Sequence, residues 1–149
     1  MAPPHLRDAV SAALDALGAL PSSRLHGDFQ RKNILVDRGG GIGVVDWERA
    51  YLDGPPGLDV LFLALMARGN RPDDGLVRSL AAGRDPEWAP LQRLLGDGGV
   101  EGIELRAYLL AALAVWAANE RMRAGALGLP QAHSERYREL LLDVGPELV

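Results

Sequence analysis

The sequence predicts an α+β domain, mainly α-helical, with one small β-hairpin in its first third. Three observations carry that expectation. Apolar residues recur at helical spacing on both sides of residues 26–48. Two short apolar runs, 34–37 and 42–45, flank the polar, glycine-rich stretch 38–41, the pattern of an antiparallel hairpin. The chain has 149 residues, 48% of them hydrophobic. That length can bury roughly 68–70% of the unfolded surface and is short for two ordinary domains, so a single domain over residues 1–149 is expected.

Taken in order, Pro3 and Pro4 open a segment in which Leu6, Val10, Ala13, Leu14 and Leu17 fall at helical spacing. Proline suits a first helical turn because its missing N–H would find no partner there. This helix is expected behind the loop that follows it. The hairpin comes next, and a four-residue loop pairs residue 37 with residue 42. Residues 58–67 are apolar almost all round, as in a core helix, and Gly69-Asn70-Arg71-Pro72 ends them. Asp73 and Asp74 can cap a short helix through residue 82. Asp85-Pro86 opens another through residue 95, broken by the glycines of 96–99. Both are expected as outer helices or a substrate-side insertion. The longest periodic segment, 104–124, sets Leu105, Tyr108, Leu109, Ala112, Val115 and Trp116 on one stripe. Ser134 starts a final helix with Tyr137, Leu140, Leu141 and Val144 inward. There is no internal repeat, low-complexity tract or long linker.

Composition excludes several function classes. A net charge of −4 with scattered arginines argues against a nucleic-acid surface. Without cysteine, neither disulfides nor thiolate metal sites are available. His5 and His133 have no metal-ligand partners at useful spacing, so zinc is not supported. The first twenty residues lack a basic n-region and carry Asp8 and Asp15, which argues against a signal peptide. The longest uncharged apolar run, 108–118, has eleven residues, short of the ~20 that span a bilayer. A soluble, cytoplasmic protein with no membrane partner is the expectation.

The chemistry concentrates in residues 26–48, H-G-D-F-Q-R-K-N-I-L-V-D-R-G-G-G-I-G-V-V-D-W-E. The expected register sets Asn33 opposite Asp46, at the roughly 4.5–5.5 Å of directly paired side chains. An amide oxygen and a carboxylate at the open end of a hairpin suit Mg²⁺, which keeps waters and takes phosphates as its other ligands. Asp28 lies five residues before Asn33, in a glycine-containing loop that can bend back toward the same ion. A carboxylate near a metal but not bound to it is a candidate base. Phosphoryl transfer needs this layout: an ion to neutralise phosphate oxygens and a base to accept the proton of the attacking hydroxyl. Gln30, Arg31 and Lys32 are candidates to face the transferred phosphate. His26 is read as a buried imidazole bonding to backbone, and Trp47 as an anchor of the strand end against the core. Glu48 is read either as support for the site or as a solvated surface residue, and Asp59 as a helix N-cap that also braces the loop.

His26-Gly27-Asp28 with Asn33, followed by Asp46-Trp47-Glu48, resembles the catalytic core of the aminoglycoside phosphotransferase and choline kinase family, within the protein-kinase-like fold. The stretch 53–60, D-G-P-P-G-L-D-V, is similar to the family's segment after the metal site, where an aspartate opens the next helix. The resemblance implies that Asp28 is the catalytic-loop aspartate, Asn33 the magnesium-binding asparagine and Asp46 the aspartate that holds Mg²⁺ after the hairpin. It implies ATP as phosphoryl donor and a small hydroxyl-bearing acceptor. Kinase-like folds also carry a β-rich N-terminal lobe with a phosphate-gripping lysine. Here 25 residues precede His26, none of them lysine; Lys32 is the sole lysine, and no G-x-G-x-x-G occurs. The resemblance is therefore to the C-terminal lobe, with the N-terminal lobe absent.

Three readings follow. The first is an ATP- and Mg²⁺-dependent phosphotransferase whose other lobe comes from a separate chain or is lost, leaving the isolated chain incomplete. The second is a truncated or degenerate kinase lobe serving as a binding or scaffold module, its apolar interlobe face self-associating or covered by a partner. The third is a phosphate-ester hydrolase using the same Asn/Asp pair.

Overall fold

The computed structural model describes residues 2–67, 74–84, 88–97, 100, 104–128 and 135–149. Six helices and two small antiparallel sheets make it mainly helical with a minor β component. The chain divides into two compact units, each discontinuous in sequence.

The first unit, Met1–Ala19, Asp73–Arg84 and Gly102–Val149, contains helices and no strand among its described residues. Helix α1, Pro4–Gly18, starts as its prolines dictate, with Pro4 in the first turn and the Arg7 amide donating to the Pro3 carbonyl at 3.1 Å. Helix α3 is Asp74–Ala81, α5 is Leu105–Ala126 and α6 is Arg136–Leu148. Helices α1, α3 and α6 each pack on α5. That surrounds α5 and explains a departure from the single stripe expected of it. Leu110, Ala111 and Leu113 are buried along with Tyr108, Leu109 and Ala112, while Val115 is half-buried. Helix α3 is docked rather than peripheral, with Leu76, Val77 and Leu80 buried. From α6, Leu140, Val144 and Leu148 point inward, with Tyr137 half-buried and its ring 5.5 Å from that of Trp116. Ion pairing joins Arg136 to Asp74 at 3.2 Å, and Arg78 to Glu147.

The second unit, Leu20–Pro72 and Asp85–Glu101, holds all the strands. Strand β1 is Ser23–Leu25, β2 is Ile34–Val36, β3 is Ile42–Val44 and β4 is Tyr51–Gly54. Strand β2 pairs with β3 as the sequence predicts, and β1 with β4 in a second antiparallel ladder the sequence did not reveal. Helix α2, Leu58–Met66, buries Leu58, Leu61, Phe62 and Leu65 and packs on α4, Trp88–Asp97, which contributes Leu91 and Leu95.

The hairpin register differs from expectation by one residue. Val36 pairs with Ile42 and Ile34 with Val44. The cause is Asp37, whose Oδ1 accepts the amides of Gly39 at 2.7 Å and Gly41 at 2.8 Å. An aspartate that folds over its own turn this way sets residue 37 against Gly41, whose carbonyl accepts the Asp37 amide at 2.9 Å, rather than against Ile42. Asn33 therefore faces Val45, whose amide donates to the Asn33 carbonyl at 3.0 Å, and Asp46 lies one residue beyond the pairing. The expected helix signals at 69–73, 85–86 and 98–99, with His133 and Ser134, lie outside the described residues.

Candidate active site

Between β1 and β2 the chain runs through the loop that carries His26, Gly27 and Asp28, then a short 3-10 turn, Arg31–Asn33. Between β3 and β4 it makes a second 3-10 turn, Trp47–Arg49. The two connections meet because their flanking strands pair, and side-chain hydrogen bonds lock the meeting.

His26 is buried, 2% exposed, and joins the two connections. Its Nε2 lies 2.7 Å from the Val45 carbonyl oxygen, which can only accept, so the ring proton is on Nε2. Nδ1 then accepts the Asp28 amide at 3.3 Å. The Trp47 ring lies tilted over the imidazole at a centroid distance of 4.7 Å. Trp47 donates Nε1–H to the Val44 carbonyl at 2.9 Å yet is 54% exposed. It lids the histidine and is not the core anchor expected of it.

Asp59 grips the same loop from α2. Its Oδ2 accepts the His26 amide at 2.5 Å and its Oδ1 the Gly27 amide at 3.0 Å. The N-cap of α2 is Gly57, and Asp59 lies inside the first helical turn without a capping bond. The N-cap role expected of it is therefore corrected, while the bracing contact is present. Gly27 is required on two counts. Its φ is +76°, a conformation that favours glycine, and a Cβ there would lie 2.1 Å from the Arg49 carbonyl oxygen.

Asp28 is buried at 6% exposure and Asn33 at 4%. Asn33 Nδ2 donates to the Asp28 carbonyl at 2.9 Å and to Asp28 Oδ2 at 3.3 Å. Gln30 Nε2 donates to Asp28 Oδ1 at 2.6 Å. Lys32 Nζ approaches Oδ2 at 3.5 Å, and Arg49 Nη1 approaches Oδ1 at 3.8 Å. Arg49 was invisible to sequence reasoning. Its only signal is a cation three residues after Asp46, which acquires meaning once the second turn packs on the first.

Asp46 is exposed and has φ 68° and ψ 55°, the only non-glycine residue at positive φ among those described. Aspartate tolerates this region better than most residues, and conformations of this kind concentrate at functional sites. Among the described residues its carboxylate has no hydrogen-bonding or ionic partner, and neither has Asn33 Oδ1. These hard oxygen donors fit Mg²⁺ chemically, since that ion needs few protein ligands. No group of three or more His, Cys, Asp or Glu side chains that could hold a metal occurs among the described residues. Glu48 is exposed on the second turn.

Comparison with known proteins decides the ancestry of this arrangement. The family model for APH, the phosphotransferase enzyme family, matches residues 2–94. The chain belongs to this family. The match spans residues 26–48 and Asp59, the stretch that carries the resemblance described above. No curated protein and no solved structure matches the chain. No helix among the described residues is long and apolar enough to cross a membrane.

Proposed function

We propose that this phosphotransferase-family chain is a kinase-like C-terminal lobe that transfers the γ-phosphate of ATP to a small-molecule hydroxyl. The observation that carries the reading is the buried Asp28–Asn33 pair. Asn33 spends its Nδ2 on Asp28, leaving Oδ1 as its free metal donor, and Asp46 presents an unpartnered carboxylate just past the paired strands. Asn33 and Asp46 would hold Mg²⁺, which when bound neutralises charge on the phosphate oxygens. Asp28 accepts the acceptor hydroxyl proton as the new P–O bond forms and the bond from γ-phosphorus to the ADP oxygen breaks. Lys32, with its side chain 63% exposed, can reach the phosphate groups. His26 and Asp59 keep the base-bearing loop in place.

The apolar surface beside this site supports a second lobe as partner. Leu35, Val36, Ile42, Val45, Trp47, Tyr51 and Leu52 are all exposed, on or next to sheets two strands wide. A separate N-terminal lobe, or a second copy of the chain, would cover them. The scaffold reading explains this surface but not a fully furnished catalytic loop, so the enzyme reading is preferred.

Calorimetric titration with Mg·ATP tests the donor site, and Asp46→Ala should abolish the binding. With an acceptor found by screening, Asp28→Asn should cut turnover by about 10²–10⁴-fold, the usual worth of a general base, while sparing Mg·ATP binding. Turnover that survives Asp28→Asn would remove Asp28 as the base.

A further inference from the structure

The two oxygens of the Asp28 carboxylate are held unequally. Oδ1 takes the short bond from Gln30 Nε2, 2.6 Å, and has the Arg49 guanidinium 3.8 Å away. Oδ2 takes one long bond, 3.3 Å, from an Asn33 amide nitrogen that it shares with the Asp28 carbonyl. Its other neighbour is Lys32 at 3.5 Å, on a side chain largely in solvent. Hydrogen bonds weaken steeply as they lengthen and bend, and bonds to charged groups are the stronger ones. Oδ1 is thus the anchored oxygen and Oδ2 the available one.

The anchor is itself fixed. Gln30 is two residues from Asp28 and enters the Arg31–Asn33 turn in an extended conformation. Arg49 reaches across from the other connection, and its carbonyl packs against Gly27, the residue before Asp28. A displacement of Arg49 would disturb the backbone beside the base.

We propose that Gln30 and Arg49 are positioning residues that together hold Oδ1 of Asp28 and leave Oδ2 to take the proton of the acceptor hydroxyl. The proposal rests on Asp28 being the base. The hydroxyl O–H bond breaks, its proton passes to Oδ2, and the electron pair it leaves forms the new bond to phosphorus as the bond to the ADP oxygen opens. Gln30 is thereby moved from the phosphate contact that its sequence position implied. Its side-chain N–H is committed to the base.

Two measurements on the full chain test this. The first is the side-chain amide signal of Gln30 in a nitrogen-15 NMR spectrum. It should be displaced from the free-glutamine position and slow to exchange in the wild type, and should revert in Asp28→Ala. The second is Mg·ATP turnover with water as acceptor, in variants whose thermal midpoints match wild type. Gln30→Ala should lower kcat about tenfold or more, because small misplacements of reacting groups cost up to about 10²-fold, and should leave KM for Mg·ATP within twofold. Arg49→Lys should restore most of what Arg49→Ala loses. A free-glutamine signal in the wild type, or a Gln30→Ala defect confined to KM, overturns the positioning role. A displaced Gln30 signal beside undiminished turnover in Asp28→Asn overturns the base assignment instead, so the two failures are told apart.

Discussion

The two units of this chain distribute polarity in opposite ways. In the helical unit the interior is apolar: Leu6, Val77, Leu80, Tyr108, Leu109, Leu113, Leu140 and Val144 are all essentially inaccessible. In the strand-bearing unit, His26, Asp28 and Asn33 are buried, and they are the only buried polar or charged side chains among the described residues. The same unit leaves Leu35, Val36, Ile42, Tyr51 and Leu52 in solvent. Helices around α5 gain their order from dispersion and burial, which tolerate no gaps. The loops around Asp28 gain theirs from directed hydrogen bonds to its carboxylate and backbone. A site of this kind concedes apolar burial locally and is backed by the apolar contact of α2 with α4 in the same unit.

Substitution can sharpen or break that contrast. The largest stability effect should come from the helical unit. Leu113→Ala removes a side chain surrounded by packed helices and should lower unfolding free energy by about 2–5 kcal/mol, read by denaturant titration. Turnover per folded molecule should be unchanged. Asp59→Ala comes next. It strips the carboxylate from two part-buried backbone amides that water can then reach, so the net loss should be about 1.5–3 kcal/mol in all. The loss should be local: hydrogen exchange at His26 and Gly27 should accelerate while the amides of α5 keep their protection. An equal acceleration in α5 would break the contrast between a hydrogen-bonded site and an apolar frame. The smallest effect is expected at the exposed strands, where Ile42→Ser should change stability by no more than about 0.5 kcal/mol. Sedimentation should show it less prone to self-association than wild type.

How far the sequence could be read follows the same division. Helical periodicity located α1, α2, α5 and α6 because a buried stripe leaves a repeating mark. It did not reveal that α5 is enclosed on several sides, since that depends on which helices pack around it. The hairpin was legible from its glycine-rich turn, but its register was not, because the side chain of Asp37 closes the turn one residue early. The β1–β4 ladder escaped notice because Ser-Arg-Leu and Tyr-Leu-Asp-Gly are too short to display a period of two. His26, Asp28, Asn33 and Asp46 stood out by spacing. Arg49 did not, for its meaning comes only from the folding of one turn against another.

The grip of Asp59 on the amides of His26 and Gly27 also carries a temporal meaning. The carboxylate lies 33 and 32 residues downstream of the groups it holds, and it belongs to the first turn of a helix that must itself form. During synthesis this loop is made before the carboxylate that clamps it. A nascent chain ending before residue 59 contains every atom of the Asp28–Asn33 pair and still lacks the carboxylate that sets the loop's path. Ordering of the loop at residues 26–28 therefore depends on a segment outside it, which ties the path of the candidate site to the formation of α2.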